Sequence, residues 1–177
     1  MRFQRCLPVV VAALLLAAGT AGPFAQEPAP ARQPGCGNEP IYQQFDFWLG
    51  NWDVESGGKK AGTNKIEKIL GGCVLLESWT GTGGSRGQSF NYYDDATTEW
   101  VQVWVDASGG SITCRGGLRD GAMHLEGEHT HKDGHIEPFR MTFTPNPDGS
   151  VRQFIEQSKD NGKTWYVWFD GKYTRGK

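Results

Sequence analysis

The chain has 177 residues, of which 37% are hydrophobic and 21% charged, with a formal net charge of −2 at pH 7. That length supports one domain with a core of its own. Its lysines and arginines are scattered, with no basic stripe to follow a phosphate backbone, so nucleic acid is excluded as a partner.

Residues 1–25 read as a secretory signal peptide. Arg2 and Arg5 precede an apolar run from Val9 to Ala18 that includes Leu14, Leu15 and Leu16. That run is shorter than the ~20 residues a membrane-crossing helix needs, and small residues follow it. Gly19-Thr20-Ala21 offers small side chains where a signal peptidase reads them, whereas cleavage after Ala25 would set Pro23 at a disfavoured position. The expected location is periplasmic or secreted, with no membrane span after cleavage. Residues 26–40 contain Pro28, Pro30, Pro34 and Pro40 and read as a disordered, polyproline-like leader. Residues 41–177 form the expected folded domain.

An exported chain keeps Cys36, Cys73 and Cys114, an odd number for an oxidising compartment. A bridge between Cys36 and Cys73 would fasten the leader to the domain and leave Cys114 free. Three free thiols, or Cys114 as a partner, are the alternatives. No Cys-x-x-Cys pair suggests zinc.

The folded part opens on Phe45-Asp46-Phe47-Trp48-Leu49-Gly50-Asn51-Trp52-Asp53-Val54. Phe45, Trp48 and Leu49 have the spacing of a short helical turn that buries one side. Gly50 breaks it, and Trp52 and Val54 then share one face of a strand. Ten strand-like runs follow, at roughly 51–56, 62–70, 73–80, 86–93, 99–107, 111–117, 122–130, 135–144, 150–158 and 164–175. Between them stand turn signals such as Gly57-Gly58, Gly71-Gly72, Asp120-Gly121, Asp133-Gly134, Asp148-Gly149 and Asn161-Gly162. The pattern predicts an all-β fold, a single antiparallel up-and-down barrel of about ten strands, with a sandwich as the alternative.

Several strands carry polar residues where a plain core would be apolar. In Trp100-Val101-Gln102-Val103-Trp104-Val105 one face reads Trp, Gln, Trp and the other Val, Val, Val, and alternation alone does not choose between them. Glu77 between Leu75 and Trp79, Ser89 and Asn91 beside Tyr93, and Gln153 between Val151 and Ile155 raise the same question. Small-ligand pockets are mostly apolar with a few placed polar groups, so these residues are candidates for one. Glu128-His129-Thr130-His131, with His135 across a turn, has spacing at which imidazoles bind zinc or copper. The intervening Lys132, Asp133 and Gly134 have the composition of an exposed turn, so no metal site is expected there. No nucleophile elbow, metalloprotease helix or phosphate-binding loop is present.

Gln44 to Gly50, Ile69-Leu70-Gly71-Gly72-Cys73, Tyr93-Asp94, Trp100 to Asp106 and Ser158 to Trp165 together resemble a group of uncharacterised bacterial secreted proteins. That group is similar to the calycin superfamily of lipocalin-like barrels, in which a short helix leading into Gly-x-Trp plugs one end. The likeness covers Cys36 to Arg175. It implies that Trp100, Gln102, Trp104 and Glu77 point inward and that Cys36 pairs with Cys73. Nitrobindin-like relatives hold haem through a histidine near the C-terminus, and this chain has none after His135, so no cofactor is expected. The expected pocket comprises Trp52, Glu77, Ser89, Asn91, Trp100, Gln102, Trp104 and Gln153, with a small apolar or amphipathic molecule as partner. The rival readings are an enzyme, a hydrolase or isomerase working through Glu77 with Gln102 or Asn91 as helpers, and an envelope protein-interaction module.

Overall fold

The computed structural model describes residues 35–176, and the signal-peptide reading of residues 1–25 lies outside them. Ten antiparallel strands follow one another around a closed barrel. They are β1 (Gly50–Ser56), β2 (Lys59–Ile69), β3 (Val74–Gly81), β4 (Arg86–Asp94), β5 (Glu99–Asp106), β6 (Ser111–Arg119), β7 (Ala122–Thr130), β8 (Ile136–Pro145), β9 (Val151–Gln157) and β10 (Tyr166–Arg175). Each pairs with its chain neighbours, and β1 closes the ring on β10 through Trp52 opposite Arg175 and Val54 opposite Tyr173. Closure removes both sheet edges, so every strand has two hydrogen-bonded neighbours. The hairpin residues do what their chemistry demands: Gly57, Gly58, Gly121, Gly134, Gly149 and Gly162 all take positive φ.

The end where β1 begins is plugged. The expected helical turn at residues 45–49 is a 3-10 turn, Asp46–Trp48, in which the amides of Trp48 and Leu49 bond back to the carbonyls of Phe45 and Asp46 at 3.1 and 3.0 Å. Two more 3-10 turns, Cys36–Asn38 and Pro40–Gln43, precede it, so the last residues of the proline-rich leader are shaped rather than extended. A disulfide from Cys36 to Cys73, at the hairpin between β2 and β3, fastens them to the barrel. Among the described residues Cys114 is the free cysteine; it is buried, and burial pushes its thiol pKa up to about 12.

Phe45 and Trp48, both with no exposed surface, enter the barrel and stack at 5.1 Å between centroids. Phe143 lies 5.0 and 4.6 Å from the two rings, and Trp100 meets Phe45 edge-on at 5.7 Å. Trp52 donates from Nε1 to the Trp48 carbonyl at 2.8 Å, which locks strand to turn. The Arg175 guanidinium lies 4.1 Å over the Trp52 ring and donates to the Leu49 carbonyl at 2.6 Å. Gly50 has φ +130°, which favours glycine, and a Cβ there would displace that guanidinium.

The disulfide closes the 37-residue interval between leader and barrel. On chain-entropy grounds its removal costs about 3–4 kcal/mol. The double variant Cys36→Ser/Cys73→Ser is expected to unfold at a clearly lower urea midpoint than the oxidised protein. Equal midpoints would show that the plug holds its place without the bridge.

Candidate functional site

Above the plug the barrel is not filled. A cavity of about 300 Å³ opens toward the opposite end, lined by Glu77, Gln102, Gln153 and Tyr173 below and by Trp79, Trp104, Trp168 and Phe169 near the mouth. Strand alternation builds the floor. Glu77 on β3 faces Ser89 on β4, Ser89 faces Trp104 on β5, and Asn91 faces Gln102, so all five project to the same side. Gln102 is 3% exposed whereas Val105 is 54% exposed, which settles that the Trp, Gln, Trp face of β5 is the inner one.

The polar groups are joined in one network. Gln102 Nε2 donates to Asn91 Oδ1 at 2.7 Å, Asn91 Nδ2 donates to Ser89 Oγ at 2.8 Å, and Ser89 Oγ donates to Glu77 Oε2 at 2.6 Å. From the other side Asn64 Nδ2 donates to Glu77 Oε1 at 2.7 Å. Every donor in the chain is directed toward Glu77, so its carboxylate is where the polarisation ends. Tyr173 completes the floor, its hydroxyl donating to Gln153 Oε1 at 2.5 Å.

Glu77 is 4% exposed, and among the described residues it makes no ion pair. Burial raises its pKa, and the bonds from Ser89 and Asn64 only partly offset this. Burial, and then the Glu77 charge, push the Tyr173 phenol upward as well. Asn64 Oδ1 is a buried acceptor without a hydrogen-bond partner. If the Asn64 amide turns over, that oxygen can accept from a protonated Glu77, so the network has a place for the extra proton.

Of the expected pocket residues, Glu77, Gln102, Trp104 and Gln153 line the cavity, and Ser89 and Asn91 stand behind them as links. Trp52 and Trp100 do point inward, each 1% exposed, but at the plugged end. The Trp100 indole donates to Gln44 Oε1 at 3.1 Å and packs on Phe45, so the plug takes up both rings and they do not line the cavity. Sequence reasoning missed Asn64 and Tyr173 in the floor. Asn64 alternates with buried Ile66, and Tyr173 lies opposite Val54, so alternation through β2 and β10 was the signal available. Trp168 and Phe169 were also missed. They are adjacent, yet both line the mouth, because the register of β10 on β9 shifts between Val167 and Phe169.

The wall rings lie flat where a neighbouring strand has glycine. A Cβ on Gly62 would meet the Trp79 ring at 2.7 Å, and one on Gly87 would collide with the Trp104 ring. These glycines give the indoles room along the wall, and the space between remains open.

A second cluster stands at the mouth. His129 lies opposite cavity-lining Ile112, and Glu137 opposite His129, so both side chains face inward. His129 touches Phe139 and Trp168 edge-on at 5.8 and 6.1 Å. His131 stacks on His129, and His135 on His131, each at 3.9 Å between ring centroids. Burial and the neighbouring His131 imidazole hold the His129 pKa below its usual value.

A scan against protein-family models finds no match to this chain, and a search of curated proteins finds none. The closed ten-strand antiparallel topology with a plugged end is compatible with a calycin-like fold.

The raised Glu77 pKa has a definite stability signature. The folded state keeps this proton where the unfolded chain releases it, so stability declines as pH rises from the ordinary carboxylate range toward the raised value. Glu77→Gln removes that slope. Denaturation at a series of pH values is expected to show the variant gaining stability relative to the wild type as pH rises through this window. A constant or falling difference would mean that Glu77 titrates normally.

Proposed function

We propose that the chain is a periplasmic or secreted binding protein whose barrel takes up a small, partly apolar molecule. One observation carries the reading: a cavity of about 300 Å³, walled by Trp79, Trp104 and Phe169, with the Glu77 carboxylate in its floor. Aromatic walls with a few oriented polar groups are the usual composition of small-molecule sites, and this volume lies at the lower end of their range. The bound molecule presents a hydrogen-bond donor or a cationic group to Glu77 and stacks its apolar part on the indoles. The Cys36–Cys73 disulfide supports an oxidising compartment. The plugged ten-strand topology supports a place among the lipocalin-like secreted barrels.

Catalysis through Glu77 is the second reading, favoured by a buried carboxylate of raised pKa lining an accessible cavity. It is the weaker one, because Asn91, offered as a helper, is turned toward Ser89 and Leu75 and does not line the cavity. A protein-interaction module would suit a filled barrel better than an open one.

Native mass spectrometry of the purified protein, together with titration by the apolar dye N-phenylnaphthylamine, tests the binding reading. The expected result is a co-purified small molecule, or saturable dye uptake, that is lost in Gly87→Val because the new side chain drives the Trp104 ring into the cavity. Absence of both adduct and saturable dye uptake in the wild type would remove the proposal.

A further inference from the structure

We propose that the mouth of the barrel holds a divalent transition-metal ion of the zinc class, bound by His131, His135 and Glu137. One ligand atom from each of the three lies within 4.8 Å of the others. Ligands at about 2 Å from a common ion stand no more than about 4 Å apart, so a modest turn of the imidazoles about χ2 closes the set. Two imidazoles and a carboxylate suit zinc, copper or nickel and do not suit calcium or magnesium, which take oxygen ligands.

The supports around the three residues are what separate this cluster from an ordinary surface pairing. Asp133 Oδ1 lies 2.6 Å from His135 Nδ1, so that nitrogen carries the proton and the Nε2 lone pair is free. His135 Nε2 faces Glu137 Oε1 at 3.9 Å, and His131 Nε2 faces Glu137 Oε2 at 3.0 Å. Glu137 is held in turn. Gln157 Nε2 donates to Glu137 Oε2, and Tyr166 donates to Gln157 Oε1 at 2.9 Å, which orients the amide toward the carboxylate. A carboxylate behind one histidine and an amide behind the carboxylate are the hydrogen-bonded backing that metal ligands carry.

The topology explains why the set assembles. His131 and His135 flank the β7–β8 turn, whose ends are joined by the His131 amide bonding to the His135 carbonyl at 2.9 Å. Glu137 is one strand register inside that turn, opposite His129. His131 is partly covered and Glu137 largely so, while His135 is exposed. Three protein ligands leave a further coordination position for water or for a ligand donor atom. The imidazole stack runs outward through His129 from Phe139 and Trp168, which line the cavity, so the cluster stands beside the cavity entrance. This site does not depend on the cavity reading and stands if that reading fails.

The test is calorimetric titration of the purified, tag-free protein with zinc chloride, with magnesium chloride as a comparison. Expected is one saturable zinc site per chain in the micromolar range or tighter, with no magnesium binding. His131→Ala, His135→Ala and Glu137→Gln should each weaken it roughly 10-fold or more, and Asp133→Asn by a similar factor through His135. His124→Ala, on a histidine bonded to Thr142 away from the cluster, should leave it unchanged. His135 is exposed, so its variant tests the site without disturbing the core. Imidazole nitrogen NMR should show His131 and His135 moving with zinc while His124 does not. No saturable zinc binding, or equal affinity in the His131→Ala/His135→Ala double variant, would overturn the proposal.

Discussion

Two hydrogen bonds, from Ser89 and Asn64 to the oxygens of Glu77, hold a carboxylate inside a β-barrel where, among the described residues, no cation pairs with it. Leaving such a group unpaired costs several kcal/mol, so the strands around it have to supply donors. That requirement accounts for the amides and hydroxyls on the inner faces of β2, β4 and β5, where a filled barrel would carry aliphatic residues. The wall rings do not close over that floor. Glycines beneath Trp79 and Trp104 let the rings lie along the wall instead.

The two ends of the barrel divide the labour. At the plugged end, stacked, tilted and edge-on rings from Phe45, Trp48, Phe143, Trp100 and Tyr173 make an aromatic core, closed by Arg175 over Trp52. The disulfide ties the incoming chain to the same end. At the other end the aromatic mouth of Trp79, Trp104, Trp168 and Phe169 stands beside the titratable side chains of His129, His131, His135 and Glu137. The densest aromatic packing thus lies at the end away from the mouth.

Much of the fold was legible because turn chemistry is local. Asp120-Gly121, Asp133-Gly134, Asp148-Gly149 and Asn161-Gly162 each mark a connection by their need for positive φ, and the strand boundaries fall within a few residues of them. Closure was not local: it depends on Trp52 meeting Arg175 across nearly the whole chain. Alternation did not give the inner face of β5, since Trp, Gln, Trp on one side and Val, Val, Val on the other can each face a core; the family resemblance supplied it. Within the site, Glu77, Gln102 and Gln153 stood out as polar residues among apolar neighbours. Asn64 and Tyr173 did not, because Thr63 and Lys65, or Lys172 and Thr174, surround them with polarity that masks the inward position. Trp52 and Trp100 share the inner face with Trp104 but sit too near the plug, and height along a barrel is invisible to parity. The histidine turn read as solvent-exposed from its own composition, and only the pairing of β7 with β8 and β9 brings Glu137 and Gln157 beside it.

Among the described residues Glu77 is held at the cavity by hydrogen-bond donors and no cation, and burial raises its proton affinity. Carbon-13 NMR of the side-chain carboxyl groups, titrated over pH and assigned by comparison with Glu77→Gln, reads this directly. The expected result is a Glu77 carboxyl that titrates above the ordinary carboxylate range and whose midpoint falls when a cationic or hydrogen-bond-donating ligand occupies the cavity. A midpoint at or below the ordinary value, unmoved by any such ligand, would contradict it.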